Sequence, residues 1–173
     1  MTDDRQPAVG PTRSTAPSPA TGVRIDGPHS GLGRECDAIL RALPDWFGIE
    51  SSIVEYTRDA DTLPSFTVSV EDAVVGLTTF KIHNPHAAEV HLMAVAPEHH
   101  RRGFGLQMLT AGQDWLRGQG IEYLQVKTVG PSSSNQPYAR TRAFYLAAGF
   151  RPLEELPTLW SARNPCLILV MRL

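Results

Sequence analysis

Apolar and polar residues alternate along this chain with a period that switches between two residues and about 3.6 residues, the periods of strands and helices. Strands are predicted at 22–25, 65–71, 73–83, 88–97, 123–128, 150–156 and 166–173. Helices are predicted at 33–47, 50–60, 103–117 and 138–149, the first ending or bending at Pro44. In the second helix, Ile53, Val54 and Tyr56 are expected to point towards the core.

The predicted order is β-α-α-β-β-β-α-β-α-β-β. This order is typical of a mixed α/β (α+β) domain with three layers, in which helices cover both faces of a sheet. We expect a twisted central sheet of about six or seven strands flanked by about four helices. The acidic pair Glu71-Asp72 predicts a tight hairpin turn between the second and third strands.

Residues 22–173 are interpreted as a single domain preceded by a tail. Residues 1–21 contain four prolines and many Ser and Thr residues, but no aromatic residue and no Leu or Ile. Such a segment buries too little apolar surface to offset the entropy lost on ordering. We therefore expect residues 1–21 to be disordered.

Composition narrows the functional classes. The formal net charge is −2, which argues against a general nucleic-acid-binding surface. No apolar run reaches the roughly 20 residues that a membrane helix needs, so no membrane association is expected. Cys36 and Cys166 fit no metal or redox spacing and are interpreted as free thiols of a cytoplasmic protein.

A positively charged, glycine-containing turn lies between the strand at 88–97 and the helix that follows it. Gly103 and Gly105 lack Cβ atoms, so backbone amides at the start of the helix can approach an anion closely. Arg101 and Arg102 add positive charge, and a pyrophosphate is the expected guest. The alternative is a solvated charged turn. The sequence is neither a Walker P-loop nor a complete dinucleotide fingerprint.

The strand before this turn carries two titratable residues. Strict alternation would place Glu89, His91, Met93 and Val95 on one face. A carboxylate on a covered sheet face is costly unless it is paired or functional. Glu89 and His91 are therefore candidate catalytic residues, and the alternatives are a carboxylate paired for stability and a packed histidine.

The stretch "AEVHLMAVAPEHHRRGFGLQML" (88–109) resembles the acyl-CoA-binding signature of the GNAT superfamily of N-acetyltransferases. In that signature, Gln/Arg-x-x-Gly-x-Gly/Ala opens a helix, and His100 stands at its first position here. The stretch "RAFYLAAGFRPLEE" (142–155) resembles the second landmark of the superfamily. The order of elements agrees from about residue 22 to residue 173.

The resemblance implies that acetyl-CoA is a cosubstrate. The strands at 88–95 and 123–128 would separate in a V-shaped split that holds the pantetheine arm, and the diphosphate would bind the amides of residues 101–106. The residues expected to bind the cofactor are Met93, Ala94, Val95, His100, Arg101, Arg102, Gly103, Phe104, Gly105 and Leu106.

The resemblance also implies roles for three side chains in acetyl transfer to an amine. Glu89 matches a general-base glutamate of the histone-acetylating branch, and His91 matches a histidine of the arylalkylamine branch. We favour Glu89 as the base, with His91 as helper or alternative. Tyr145 matches the tyrosine that protonates the departing thiolate, although a tyrosine beside Phe144 can also simply pack. The family's usual Asn seven residues earlier is Tyr138.

The acceptor is expected to bind where two loops meet the cleft. Trp46, Phe47 and Trp160 would form apolar walls, and Asp45 or Glu50 would receive a cation. The predicted acceptor is the primary amine of a small molecule, used by a monomer or homodimer. The alternatives are an acyl-CoA-binding module without turnover and an acetyltransferase that acts on a protein or tRNA amine.

A metal site is the remaining possibility to weigh. His83, His86, His91, His99 and His100 are numerous, and "HNPH" has a ligand-like spacing. No cysteine or carboxylate completes a recognisable set of ligands. We therefore predict no metal.

Overall fold

The computed structural model describes residues 22–173. Its strands are β1 (Val23–His29), β2 (Ser65–Val70), β3 (Ala73–Asn84), β4 (Ala87–Val95), β5 (Tyr123–Val129), β6 (Arg151–Ser161) and β7 (Asn164–Arg172). Its helices are α1 (Gly33–Arg41), α2 (Glu50–Thr62), α3 (Phe104–Gly118) and α4 (Gln136–Ala147), with a single 3₁₀ turn at Pro97–His99. The predicted order of elements is confirmed. The disordered tail predicted at 1–21 lies outside the described residues.

All seven strands form one mixed sheet in the order β1-β2-β3-β4-β5-β7-β6. Neighbouring strands are antiparallel except for the central pair β4 and β5, which is parallel. The predicted mixed α+β class is therefore confirmed. The predicted hairpin joins β2 to β3, and Glu71 and Asp72 have φ values of 49° and 66°. Left-handed backbone at both turn residues is typical of a type I′ hairpin.

Helices cover the two faces of the sheet. Helices α1 and α2 pack on one face, where Leu40 and Ile53 meet Leu77 and Leu92 in a buried cluster. On this side the prediction for Val54 is wrong. Its side chain is 45% exposed, because it lies about 100° around the helix from Ile53 and points away from the sheet.

Helix α3 packs on the other face against the aromatic ring of Phe80 in β3. A Cβ atom added at Gly112 of α3 would overlap Cζ of the Phe80 ring. Glycine at this position therefore lets the helix approach the sheet. Leu109 and Leu116 complete the contact within the same buried cluster.

The central strands pair only over part of their length. The β4–β5 ladder runs from Ala87 opposite Tyr123 to Val90 opposite Val126, and it stops there. Strand β4 continues to Val95, while β5 continues to Val129 paired with β7 alone. The sheet therefore opens at its centre, which confirms the predicted split.

A β-bulge interrupts β4 at the start of this split. Across the β3–β4 ladder, Phe80 is opposite Val90 and Thr79 is opposite Leu92. His91 is thus an extra residue without a partner of its own. A bulge of this kind changes which face the following residues occupy.

Strict alternation along β4 is therefore wrong. Glu89 shares the α1–α2 face with Leu92 and Ala94, since its partner across the ladder is Lys81. Met93 is opposite Thr78 and lies on the α3 face, together with Val95. The inserted residue is the physical reason for the difference.

Candidate active site

The split between β4 and β5 opens into a cleft of about 1360 Å³. One wall is β4 with the turn that leads into α3, and the other is β5 with α4. The α1–α2 loop and the β6–β7 turn border the remaining sides. Elements from both halves of the chain thus meet around one cavity.

The structure brings most of the predicted site residues together in this cleft. The predicted catalytic residues Glu89, His91 and Tyr145 all line it. So do all of the predicted cofactor-binding residues except Arg102, namely Met93, Ala94, Val95, His100, Arg101, Gly103, Phe104, Gly105 and Leu106. Of the predicted acceptor-binding residues, Trp46, Phe47 and Trp160 line the cleft, whereas Asp45 and Glu50 do not.

The turn before α3 has the backbone geometry of an anion-binding nest. Arg101 and Gly103 both have left-handed φ values, 61° and 79°. The first hydrogen bond of the helix joins the Gln107 amide to the Gly103 carbonyl at 3.1 Å. The amides at 104–106 therefore have no acceptor within the helix and point outward with the positive end of the helix dipole.

Space for a guest remains in front of these amides. A Cβ atom at Gly105 would meet Met93 Sδ and Phe144 Cζ at 3.5 Å, which is ordinary contact distance. His100 turns back towards β4, where its Nε2 lies 2.7 Å from the Val95 carbonyl oxygen. This side chain therefore braces the end of the strand, while the amides are the groups offered to an anion.

Beyond Val90, the edge of β4 that faces the cleft has no strand partner. Residues 93–95 pair with β3 on their other side and with no second strand, and the Val95 carbonyl oxygen also meets His100 Nε2. On the opposite wall, Thr128 is 3% exposed and its Oγ1 has no hydrogen-bond partner among residues 22–173. Unpaired backbone and hydroxyl groups of this kind suit a guest that carries amides, as a pantetheine arm does.

The carboxylate of Glu89 lies at the centre of a polar cluster that crosses three strands. Its Oε2 accepts hydrogen bonds from Lys127 Nζ at 2.7 Å and Gln125 Nε2 at 3.0 Å, and it lies 2.8 Å from His83 Nε2. Burial by itself would raise the pKa of Glu89. The hydrogen bond and charge of Lys127, helped by His83 and Gln125, outweigh burial, so the pKa lies below its usual value.

His91 lies beside this cluster but has different partners. Its Nε2 is 2.7 Å from Asp59 Oδ2 on α2. The Tyr56 ring packs edge-on against the imidazole with 5.5 Å between the centroids. Burial raises the pKa of Tyr56 to about 12, so the phenol stays neutral. Nδ1 of His91 has no hydrogen-bond partner in the part of the chain that the structure describes.

Tyr145 lies on the α4 wall and is 5% exposed. Its ring packs edge-on against Phe144 and Phe150, with centroid distances of 5.1 and 5.4 Å. Burial, with a smaller contribution from Tyr56, raises the pKa of Tyr145 well above its usual value. Its hydroxyl makes no hydrogen bond to any described residue. Tyr145 is therefore held as a neutral phenol with a proton to donate.

Trp46 in the α1–α2 loop reaches across the cleft to α4. Its Nε1 donates to Thr141 Oγ1 at 3.1 Å, and its carbonyl oxygen accepts from the Tyr138 hydroxyl at 2.8 Å. The guanidinium of Arg140 lies 5.5 Å from the centre of the indole. Tyr138 therefore anchors the loop.

The other residues on the acceptor side differ in whether they reach the cleft and in how exposed they are. Phe47 packs edge-on against Tyr56 at 5.9 Å, whereas Trp160 at the end of β6 is 47% exposed. The carboxylate of Glu50 is bound by the Arg41 guanidinium at 2.8 and 2.9 Å, on the surface away from the lining. Glu55, one turn further along α2, lines the cleft instead.

Sequence reasoning missed Asp59, Lys127 and Glu55. Nothing in their local sequence distinguishes them from ordinary surface charges, since only the tertiary fold brings Asp59 to His91, Lys127 to Glu89 and Glu55 to the cleft. Two of the candidate metal-ligating histidines meet a carboxylate instead: His83 Nε2 lies 2.8 Å from Glu89 and 3.3 Å from Gln125 Nε2, and His86 Nδ1 lies 2.9 Å from Glu122. Within residues 22–173, no group of three His, Cys, Asp or Glu side chains is placed to hold a metal ion.

The helices found between residues 22 and 173 are all too short or too polar to span a bilayer. The described cysteines Cys36 and Cys166 are both buried free thiols. No curated protein sequence matches the chain significantly. The model of the acetyltransferase (GNAT) family matches residues 36–150, which is more than half of the chain.

Solved structures with this fold share little sequence with the chain. A GNAT-family protein from Desulfovibrio desulfuricans superposes with a TM-score of 0.77 at 17% identity, over 87% of this chain and 99% of that one. A GNAT acetyltransferase from Elizabethkingia anophelis with acetyl-CoA bound gives 0.65 at 17% identity, over 87% and 98%. The ribosomal-protein-S18-alanine N-acetyltransferase of Escherichia coli gives 0.68 at 17% identity, over 87% and 94%.

Proposed function

Because the chain belongs to the GNAT family of acetyltransferases, we propose that it transfers an acetyl group from acetyl-CoA directly to the primary amine of a small-molecule acceptor. Both substrates would be bound at once in the cleft. One observation carries the proposal: the same cleft holds an anion-binding nest, an unpaired strand edge and side chains that can accept and donate protons.

The residues present suit acetyl-CoA, which supplies the acetyl group as an activated thioester. The amides at 104–106 and the side chain of Arg101 would bind the pyrophosphate. The free edge of β4 at Met93–Val95 would pair with the pantetheine amides and polarise the acetyl carbonyl. The hydroxyl of Thr128, buried without a partner on the opposite wall, gives the arm a further hydrogen-bonding group.

Proton transfer is assigned to side chains on both walls. An alkylammonium ion has a pKa of about 10, so a base has to remove a proton before the nitrogen can attack. Glu89 and His91 on the β4 wall are the candidates for this base. Tyr145 on the α4 wall would protonate the departing thiolate, because its phenol is kept neutral by burial.

The bounded shape of the acceptor opening supports a small acceptor. Trp46 is tied to α4 by two hydrogen bonds, so the α1–α2 loop closes one side of the opening. Phe47 and Trp160 would contact an apolar body, and Glu55 is the lining carboxylate available to a cationic amine. We place this activity in the cytoplasm, consistent with the two buried free thiols.

The proposal is tested by binding and turnover together. Calorimetry should show acetyl-CoA binding, and a panel of primary amines should include one that releases free CoA thiol. Tyr145→Phe should lower kcat by about 100-fold or more with little change in the Kd for acetyl-CoA. Tyr123→Phe is the matched control, because Tyr123 is 47% exposed and outside the cleft lining.

Two results would contradict the proposal. A folded protein that does not bind acetyl-CoA would exclude the donor. Acetyl-CoA binding without transfer to small, peptide or tRNA amines would favour a non-catalytic acyl-CoA-binding module. Transfer to a protein or tRNA amine alone would correct the acceptor class and leave the reaction in place.

A further inference from the structure

The two candidate bases have very different surroundings. Glu89 is 6% exposed, and its Oε2 is already engaged by Lys127, Gln125 and His83. The nearby ammonium group of Lys127 opposes protonation of the carboxylate. A general base has to accept a proton during the reaction, so these partners make Glu89 a weak base.

The position of Glu89 in the sheet suggests a different task. Gln125 is opposite Glu89 in the β4–β5 ladder, and the next pair, Val90 with Val126, is the last before the strands separate. Glu89 bonds to both Gln125 and Lys127 of β5. Its carboxylate therefore links the two strands at the point where the cleft begins.

The bulge exposes His91 to the cleft, and Asp59 of α2 contacts its imidazole. The inserted residue turns towards the α1–α2 face, where Nε2 meets Asp59 Oδ2 at 2.7 Å. Asp59 is not part of the cleft lining, and its side chain is 29% exposed. It therefore contacts the imidazole on the side away from the substrates.

Resting on the proposed function, we infer that His91 is the general base of this enzyme and that Asp59 is the residue that positions it. An ionised Asp59 accepts a hydrogen bond from the Nε2–H group of His91. This bond fixes the proton on Nε2 and leaves the lone pair of Nδ1 available in the cleft. The carboxylate also stabilises the imidazolium that forms when Nδ1 takes a proton.

The proton balance is complete. The acceptor enters as R–NH₃⁺ and gives one proton to His91 Nδ1, which later releases it to solvent. The amine nitrogen then forms a bond to the acetyl carbon, and the carbon–sulfur bond breaks. Tyr145 gives its proton to the CoA sulfur, and the second proton lost by the nitrogen returns to the tyrosinate, so the phenol is regenerated. The products are R–NH–acetyl, CoA–SH and one free proton.

Other titratable groups share the cleft with His91 and belong to its electrostatic environment. Helix α2 and the central strands contribute Glu55 and Tyr56 of α2, Lys81 and His83 of β3, Glu89 of β4 and Lys127 of β5, and the lining also includes titratable residues of α4 and of the turn before α3. Only Asp59 makes a hydrogen bond to the His91 ring within the described chain. Changes at Asp59 should therefore act on His91 more directly than changes at the other groups.

In the test, variants at Asp59, His91 and Glu89 are assayed with an amine that the parent enzyme acetylates. His91→Ala should lower kcat/KM by about 100-fold or more, and added imidazole should restore part of the loss. Asp59→Asn should be worse than Asp59→Ala, because its amide can donate to Nε2 and leave the proton on Nδ1, the wrong tautomer for a base. A purely structural role would give the reverse order.

The pH dependence gives a second readout. Asp59→Ala removes a negative charge beside the imidazole, so the acidic limb of the kcat/KM profile should move to lower pH. Glu89→Gln should leave that limb in place. Asp114→Asn, on the exposed face of α3 where Asp114 pairs with Arg117, is the matched control and should change neither rate nor profile.

Binding and folding are measured alongside. The His91 and Asp59 variants should bind acetyl-CoA with the parent Kd and keep their melting temperatures within a few degrees, and imidazole rescue of His91→Ala requires a folded site. The inference is overturned if His91→Ala keeps parent activity, or if Glu89→Gln removes the acidic limb. Absence of transfer by the parent enzyme to any amine would overturn the proposed function and this inference together.

Discussion

Replacing Lys127 with methionine should destabilise the protein by leaving the Glu89 carboxylate buried without its counter-charge. Removing one partner of a buried ion pair costs about 3–5 kcal/mol. Here the Glu89 carboxylate keeps Gln125 and His83, and the Lys127 side chain is 29% exposed. We therefore expect a loss of about 2–3 kcal/mol at pH 7.5, below the range for a fully buried pair.

The loss should depend on pH in a direction set by the pKa of Glu89. In the parent protein this pKa is lowered in the folded state, so ionised Glu89 stabilises the fold above pH ~4.3. That contribution disappears as the pH falls through the folded-state pKa. Without Lys127, burial would raise the pKa, and ionisation above pH ~4.3 would oppose folding. The difference between the proteins should therefore shrink towards pH 4.

Urea denaturation at pH 7.5, 6 and 4.5 measures this difference. Lys81→Met is the control: Lys81 is opposite Glu89 in the β3–β4 ladder but is exposed and forms no ion pair with the described residues. It should change the free energy of unfolding by less than about 0.5 kcal/mol. Equal losses for the two lysine variants, or a Lys127→Met loss that stays constant over this pH range, would refute the reasoning.

Three further outcomes follow from backbone geometry. Gly112→Ala should lower the free energy of unfolding by about 1–3 kcal/mol, because the new Cβ forces α3 away from the Phe80 ring. Gly118→Ala is the control and should be neutral or stabilising, because no atom lies within 4 Å of its new Cβ. Thermal melts compare the two variants. Replacing Glu71-Asp72 with Asn-Gly should raise stability by about 1 kcal/mol by relieving two left-handed side chains, and an unchanged melting temperature would contradict this. Gly103→Ala should weaken acetyl-CoA binding, because the φ of 79° at this position is unfavourable for a residue with a Cβ atom. Calorimetry measures the Kd, and a Kd equal to that of the parent would count against the anion-binding nest.

The order of elements was predictable because each segment carries its own signal. Apolar periodicity is local, and so are the turn residues Glu71 and Asp72 and the glycines before α3. The geometry of the turn before α3 was predictable for the same reason, since its residues are contiguous in sequence and include two glycines.

The side-chain partners were not predictable, because they depend on how distant segments pack. The β-bulge at His91 leaves no mark in the hydrophobic pattern, so strict alternation placed Met93 and Val95 on the wrong face. Asp59 lies 32 residues before His91 in sequence, and only the packing of α2 on the sheet brings them together. Glu50 was a reasonable cation receptor by position, but the structure shows its carboxylate bound to Arg41.

The bulge in β4 also constrains how this protein can be altered. Residues before it and residues after it obey different alternations, so one strand presents the titratable Glu89 and His91 to the α1–α2 face and, a few residues later, Met93 and Val95 to the α3 face. Deleting one residue here would restore regular pairing and rotate one half of the strand by half a turn. Insertions and deletions near position 91 should therefore be far less tolerated than substitutions, and a library for new acceptor specificity should vary side chains while keeping the length of β4 fixed.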